Sequence, residues 1–261
     1  GRVPEIPGLE FAGTIVQLGE RARMWKVGDR VMGIEAGGAY AERIATHERQ
    51  LLAVPAGVAI APDGKTALVA RDGDSKVSVL KLANGTAEYT KRDMYAGWKP
   101  YQIGISPKGD WAAVGNVGMG NGDTDTVSLI DLRLDPPRVV DTIAVGVTPE
   151  GLSVAPDGKH IAYYAKDAKG QTQIFVVDVN GSDQSADAAK RPMQLTQFDG
   201  GVAQYLRWHP SGDAVLCVTA KNGIAAISTL PGRDFGRVTM LIPDDAAPER
   251  SRLVISHDGK T

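Results

Sequence analysis

One short motif constrains this chain more than anything else in it. A turn built on proline and glycine recurs, each time behind a short apolar run. It reads "IAPDGKTALVA" at 60–70, "ISPKGDWAAVG" at 105–115, "VAPDGKHIAYY" at 154–164 and "WHPSGDAVLCV" at 208–218. A fifth copy, "ISHDGKT" at 255–261, has His257 in the proline position. Successive turns lie 45, 49, 54 and 47 residues apart. The residue types explain the turn. Proline presets φ at the first corner, Asp or Ser hydrogen-bonds its own backbone, and glycine accepts positive φ. A turn of this kind joins two antiparallel strands.

A third strand follows at matching offsets, in "KVSVLKL" (76–82), "TVSLIDL" (126–132) and "QIFVVDV" (173–179). Each is rich in β-branched residues. A fourth strand is readable in "RVVDTIAVG" (138–146) and, more weakly, in "MQLTQFD" (193–199). No helical period survives between residues 58 and 261. Four strands in a repeat of roughly 40–50 residues make the blade of a β-propeller. A further mark precedes the turn: Pro100 stands seven before Pro107, and Pro149 seven before Pro156. The pattern Gly-x-x-Pro, inner strand, turn resembles the YVTN-type propeller repeat. The later stretch "GQTQIFVVDVNG", with "MQLTQFDGGVAQYLRWHPSGD", is more similar to TolB-type blades, and there Ala203 replaces the entrance proline. The resemblance implies a fold and little about function, because propellers host many activities.

The first 57 residues read differently. They carry Pro7-Gly8-x-Glu10-x-Ala12-Gly13, then Val27-Gly28-Asp29-Arg30-Val31, then Gly37-Gly38-Ala39-Tyr40-Ala41-Glu42. This segment resembles the medium-chain, zinc-independent NADPH:quinone oxidoreductases. Leu9 stands where the zinc-dependent relatives place a ligand histidine before the first Glu. The resemblance implies a GroES-like barrel in which Val31 and Tyr40 are core. Gly8, Gly13 and Gly19 are expected at sharp corners, and Gly28-Asp29 reads as a turn before "RVMGI". Glu10, Gly13 and Tyr40 match the family motifs as barrel residues, so no catalytic role is carried over. The match ends at "VPAG", where Pro55 stands seven before Pro62 and so also opens a blade. The same residues satisfy both patterns at the join.

The expectation is a mainly β chain: a partial GroES-like barrel segment (1–57), then an incomplete β-propeller (58–261) of four blades plus the start of a fifth at "RLVIS" (252–256). The opening lacks an initiator Met and the sequence stops just after a turn, so both ends are expected to be cut. Net charge is −2, which favours neither nucleic acid nor an anionic membrane. No apolar run is long enough to span a bilayer. The compartment stays open, since propellers of these kinds are often exported and quinone reductases are cytosolic. The single Cys217 lies among apolar neighbours and is expected to be a buried thiol.

Candidate sites are few. "VGNVGMGNGDTDT" (114–126) spaces its glycines loosely like a dinucleotide loop, but a strand follows where that motif needs a helix. Asp123 and Asp125 do not fit an EF-hand, which needs Gly at position 6 and Glu at 12. His47, His160, His209 and His257 show no metal spacing, and no Gly-x-Ser-x-Gly occurs. Tyr95, Trp98 and Tyr101 surround a blade entrance. They either line a ligand-binding rim or pack between blades, packing being the preferred reading. Trp98 and Trp208 are both expected to be buried beside the inner strand of their blade. No catalytic residue, cofactor or metal site is assigned. The function expected is a non-catalytic propeller module for binding or scaffolding, joined to a fragment of an oxidoreductase-like domain. The alternative is NADPH-dependent quinone oxidoreductase activity inherited from the first segment; a third reading gives the chain no evolved function as a unit. The partner is an unidentified protein or small molecule, and unpaired blade edges favour self-association.

Overall fold

In the computed structural model, the structure describes residues 10–34, 38–39, 41–53, 57–119, 125–179 and 192–246. The chain divides into two compact units, residues 1–55 and 56–261. Among the described residues all regular structure is β except two short 3-10 turns.

The smaller unit holds a three-stranded antiparallel sheet of β1 (Glu10–Thr14), β2 (Arg30–Ile34) and β3 (Leu51–Ala53), in that order. Val31 is buried, as a barrel-core residue should be; Tyr40 and Gly8 lie outside the described residues. The sharp corner falls at Gly28, with φ +97°, and Asp29 closes it by accepting the Lys26 N–H at 2.9 Å. Gly13 is instead an ordinary residue of β1, because a strand interior asks for no positive φ. Gly33 is the glycine that packing requires. A Cβ there would lie 2.7 Å from the Gln50 carbonyl and 2.8 Å from the Phe11 ring. Glu48 ties the segment before β2 to the turn before β3. Its carboxylate accepts the Arg23 and Met24 N–H groups at 2.8 and 2.9 Å, and these two bonds hold it below the usual carboxylate range.

The larger unit is built from repeats of four antiparallel strands. The first contains β4 (Gly57–Ile60), β5 (Thr66–Arg71), β6 (Lys76–Ala83) and β7 (Thr86–Tyr95). The second contains β8 (Pro100–Ile105), β9 (Trp111–Asn116), β10 (Asp125–Asp131) and the first half of β11 (Arg138–Val154). The second half of β11 is the inner strand of the third repeat, followed by β12 (His160–Lys166), β13 (Thr172–Asp178) and β14 (Met193–Gln194). The fourth contains β15 (Val202–Trp208), β16 (Ala214–Thr219), β17 (Ile224–Ser228) and β18 (Val238–Ile242). The fifth turn and "RLVIS" lie outside the described residues.

The recurrent turns have the chemistry their residues require. Gly64, Gly109, Gly158 and Gly212 all take positive φ, between +64° and +80°. Each donates its N–H to the carbonyl three residues back, at 2.8 or 2.9 Å. Asp63 and Asp157 accept the N–H two residues on, at 2.9 and 2.7 Å, and Ser211 does the same at 3.3 Å.

One connection differs from expectation. The strand read as 138–146 does not stop at a loop but runs 17 residues into the next repeat, joining the two into a seven-stranded sheet. Positive φ at Gly146, Thr148 and Gly151 and two register shifts against β12 bend it without ending it.

The core lies between neighbouring repeats, in three clusters. Leu68, Ala70, Val77 and Val79 of the first repeat meet Ile103, Ala112, Val114 and Ile130 of the second. Ala113, Val127 and Leu129 meet Leu152, Ile161, Tyr163 and Val177 of the third. Ala162, Tyr164, Ile174 and Val176 meet Leu206, Trp208, Val215 and Ile227 of the fourth. Period-2 alternation splits β9, β10, β12 and β13, of the second and third repeats, between two such cores. Hence Ala112 and Val114 look back at the first repeat and Ala113 forward to the third. Among the described residues the first and fourth repeats share no comparable interface.

Candidate functional site

Of the three expected site residues, Tyr95 ends β7, Trp98 lies in the loop from β7 to β8, and Tyr101 is the second residue of β8. All three are exposed, and Trp98 is 60% accessible. Trp208 is buried, as expected; Trp98 is the correction. The reason is where its backbone is spent. The Trp98 carbonyl accepts the Gly118 N–H at 3.2 Å, and Lys99 accepts the Val117 N–H at 3.1 Å. The peptide planes at 98 and 99 are thereby fixed against the β9–β10 loop. Their backbone bonds point inward and the indole is left outside.

The loop is held from below by Asn116 and Ser128, both buried. Asn116 donates to the Ala96 carbonyl and sits 3.0 Å from the hydroxyls of Thr126 and Ser128, while Ser128 itself donates to Ala96 O. Gly97 permits the close approach: a Cβ there would stand 2.6 Å from Asn116 Cγ. Met119, on the neighbouring loop, is as exposed as Trp98. Sequence reasoning missed it, because a Met inside a glycine-rich run carries no periodicity. Large apolar side chains displayed on a hydrogen-bonded loop, at one end of a rigid scaffold, are suited to contact another molecule.

The other candidates are occupied structurally. The residues after the glycine-rich loop form β10, so no helix N-terminus faces it. Asp125 accepts the Thr148 N–H at 2.7 Å and so anchors the bend of β11; Asp123 lies outside the described residues. His160 opens β12, 2.7 Å from Asp157 of the preceding turn, and His209 begins its turn, 2.8 Å from Ser211. His47 caps a 3-10 turn by accepting the Arg49 N–H, and His257 is not among the described residues. Among those residues no three His, Cys, Asp or Glu side chains gather as a metal would need. Burial pushes the Cys217 thiol up to about 12, so at neutral pH it is a thiol without nucleophilic character.

A polar cluster that the sequence did not signal lies on the first repeat. Asp93 accepts from Tyr89 at 2.7 Å, Ser78 at 2.8 Å and Arg71 at 3.0 Å, and Arg71 also pairs with Asp74. Burial opposes the Asp93 charge. The hydrogen bonds from Tyr89 and Ser78 and the charge of Arg71 outweigh it, and the carboxyl is held below its ordinary value. With every member satisfied by another, the cluster is structural. A shallow polar groove beside Asp167, Lys169 and Gln194 is similar, for Gln173 at its base is bonded to Thr196 and to both the N–H and the carbonyl of Phe198.

Residues 1–56 match the family of alcohol dehydrogenase GroES-like domains. No curated protein matches the chain. Solved structures do. Hydrazine synthase from Kuenenia stuttgartiensis aligns with TM-score 0.57 and 19% identity, over 98% of this chain and 73% of that one. A functionally unknown protein from Desulfotomaculum acetoxidans DSM 771 aligns with TM-score 0.51 and 14% identity, over 83% of this chain and 69% of that one. A protein provisionally assigned as a 6-phosphogluconolactonase, from Bacteroides uniformis ATCC 8492, gives 0.53 and 13%, over 81% and 64%. At these identities the likeness is one of fold, and the fold is of propeller type.

Proposed function

We propose that the chain is a non-catalytic binding module. Its YVTN- and TolB-like blades form a scaffold, and the loop carrying Tyr95, Trp98 and Tyr101 forms the ligand rim. The single observation that carries the reading is the exposure of Trp98 on a loop whose carbonyls at 98 and 99 are held by the Gly118 and Val117 N–H groups. An apolar ring held in water on a rigid loop has the low entropy cost of binding expected of a contact residue. The GroES-like segment, residues 1–57, contributes no chemistry of its own in this reading. The ligand is a protein segment or a small molecule with an apolar face.

Two experiments test it. In panning of a phage-displayed peptide library, the wild-type protein should enrich sequences that the double variant Trp98→Ala, Tyr95→Ala fails to retain. The variant should lose no more than about 0.5 kcal/mol of stability, as exposed sites do. Enrichment that is the same on both proteins removes the rim from the proposal. The match of residues 1–56 to a dehydrogenase-associated domain favours the second reading, an NADPH-dependent quinone oxidoreductase. A fluorescence titration with NADPH separates the two. No saturable signal up to millimolar nucleotide is expected, and micromolar binding would replace the module by the enzyme.

A further inference from the structure

An asparagine followed by glycine can react with its own backbone, because no Cβ shields the glycine nitrogen. Four such pairs occur, at 84–85, 121–122, 180–181 and 222–223, and the second and third lie outside the described residues. The other two are held in opposite ways. Asn84 and Gly85 are the whole connection between β6 and β7, and both are exposed. Their φ values are +52° and +74°, the two left-handed residues of a tight hairpin turn. Apart from its chain neighbours, no heavy atom lies within 4 Å of where a Cβ on Gly85 would stand. Among the described residues no acceptor takes the Gly85 N–H. The adjoining strand ends, Ala83, Thr86, Ala87 and Glu88, are exposed as well. The last pair, Ala83 with Thr86, therefore opens without uncovering core. Opening is what the reaction needs, since Asn84 must leave the left-handed turn before the Gly85 nitrogen can reach its side-chain carbon. Asn222 has a similar φ, +68°, and none of that freedom. Its N–H donates to the Thr219 carbonyl at 3.0 Å, and the Gly223 carbonyl accepts the Thr219 N–H at 2.8 Å. Gly223 is buried, and a Cβ there would lie 2.3 Å from Asp244 Oδ1 and 2.9 Å from the Ile242 carbonyl. The Thr219 hydroxyl in turn donates to that Asp244 oxygen at 2.5 Å.

We propose that Asn84 is a modification site, at which the folded chain converts its own β6–β7 turn to an isoaspartyl linkage while Asn222 is spared. The Gly85 nitrogen attacks Asn84 Cγ. An N–Cγ bond forms, the N–H proton is lost, and the side-chain amide takes up a proton and leaves as ammonia. The product is a five-membered succinimide. Water then opens the ring. Breaking the new bond to Cγ leaves an ordinary aspartate. Breaking the bond to the Asn84 main-chain carbonyl leaves the backbone running through Cβ and Cγ, with the former carbonyl as a free carboxylate. Either product adds a negative charge. The second also lengthens the backbone by one carbon in a turn built for two residues, so the 83–86 pair cannot re-form in register. Its carboxylate is the chemical group that an isoaspartyl methyltransferase esterifies. The site is at the opposite end of β7 from Tyr95, so it is independent of the ligand rim.

Incubation of the full chain at physiological temperature and mildly alkaline pH, followed by proteolytic mapping with mass spectrometry, tests it. The amide at Asn84 should be lost at least about tenfold faster than that at Asn222, because exposed hairpin ends open far more readily than covered loops. Both the aspartyl and the isoaspartyl peptide should be recovered from position 84. The isoaspartyl one should accept a methyl group from S-adenosylmethionine in the presence of an isoaspartyl methyltransferase. In concentrated guanidinium, where the turns are lost, the two asparagines should react at similar rates. An intact Asn84, equal rates in the folded chain, or faster loss at Asn222 overturns the proposal. So does aspartate at 84 with no isoaspartyl form, which would mean direct hydrolysis without the ring. A rate difference that persists in guanidinium would trace it to neighbouring residues rather than to the fold, and also overturns it.

Discussion

Replacing Trp208 with alanine should cost the larger unit roughly 3–5 kcal/mol, as truncation of large aromatic side chains in cores does. The indole is only 9% exposed and belongs to the cluster between the third and fourth repeats, with Leu206, Val215, Cys217 and Ile227. Its Nε1–H donates to the Ser153 carbonyl at 3.1 Å, on the inner half of β11, and its backbone N–H meets Ser153 Oγ at 3.3 Å. The substitution therefore opens a cavity and removes the indole donor from the half-buried Ser153 carbonyl at one stroke. Guanidinium denaturation followed by far-ultraviolet circular dichroism is the measurement, because the variant loses a fluorophore. Trp208→Phe should recover most of the packing and still lack the hydrogen bond, leaving a deficit of about 1–2 kcal/mol. A loss under about 1 kcal/mol for the alanine variant would mean that the side chain is not in the core.

Gly151→Ala should destabilise by about 2–5 kcal/mol, the sum of a strained backbone and an overfilled core. Gly151 holds φ +62°, and an added Cβ would fall on the ring of Tyr164, against Cε2 and Cδ2 and 2.9 Å from Cζ. Tyr164 is buried in the same cluster and has no room to retreat. Gly170→Ala separates the two costs. That glycine has φ +75° with nothing within 4 Å of an added Cβ, so only the backbone term applies, about 1–2 kcal/mol. Equal losses at the two positions, measured in parallel melts, would remove the ring contact from the account.

Much of the array is visible in the residues because each hairpin turn is a local object. Pro62-Asp63-Gly64 and its copies close through bonds no longer than five residues in sequence, and the strands on either side inherit their phase. The third strands lie within a residue of their expected bounds for the same reason: 76–83, 125–131 and 172–178. The outermost strands were harder. β7, "TAEYTKRDMY", exposes eight of its ten residues, so neither face has to be apolar and no alternation marks it. β18 exposes four of five for the same cause. The candidate site divides along the same line. That Tyr95, Trp98 and Tyr101 lie in or beside one loop follows from their nearness in sequence. Which way Trp98 faces depends on a hydrogen bond to Gly118, twenty residues away across another blade, and no local pattern records it.

The unbroken run of β11 changes how the repeats can move. In an array whose members touch only their neighbours, each junction is an equivalent place to part. Here the second and third repeats are splinted by one strand of 17 residues, and separating them means tearing main-chain pairing with β10 or β12. The other two junctions are loops, at 96–99 and 195–201. Mechanically the four repeats therefore behave as three pieces, with a double-width block in the middle. The first of the two loop junctions is the one that carries Trp98, and it is tied to the residues after β9, so a molecule seated on that indole sits where the first repeat meets the central block.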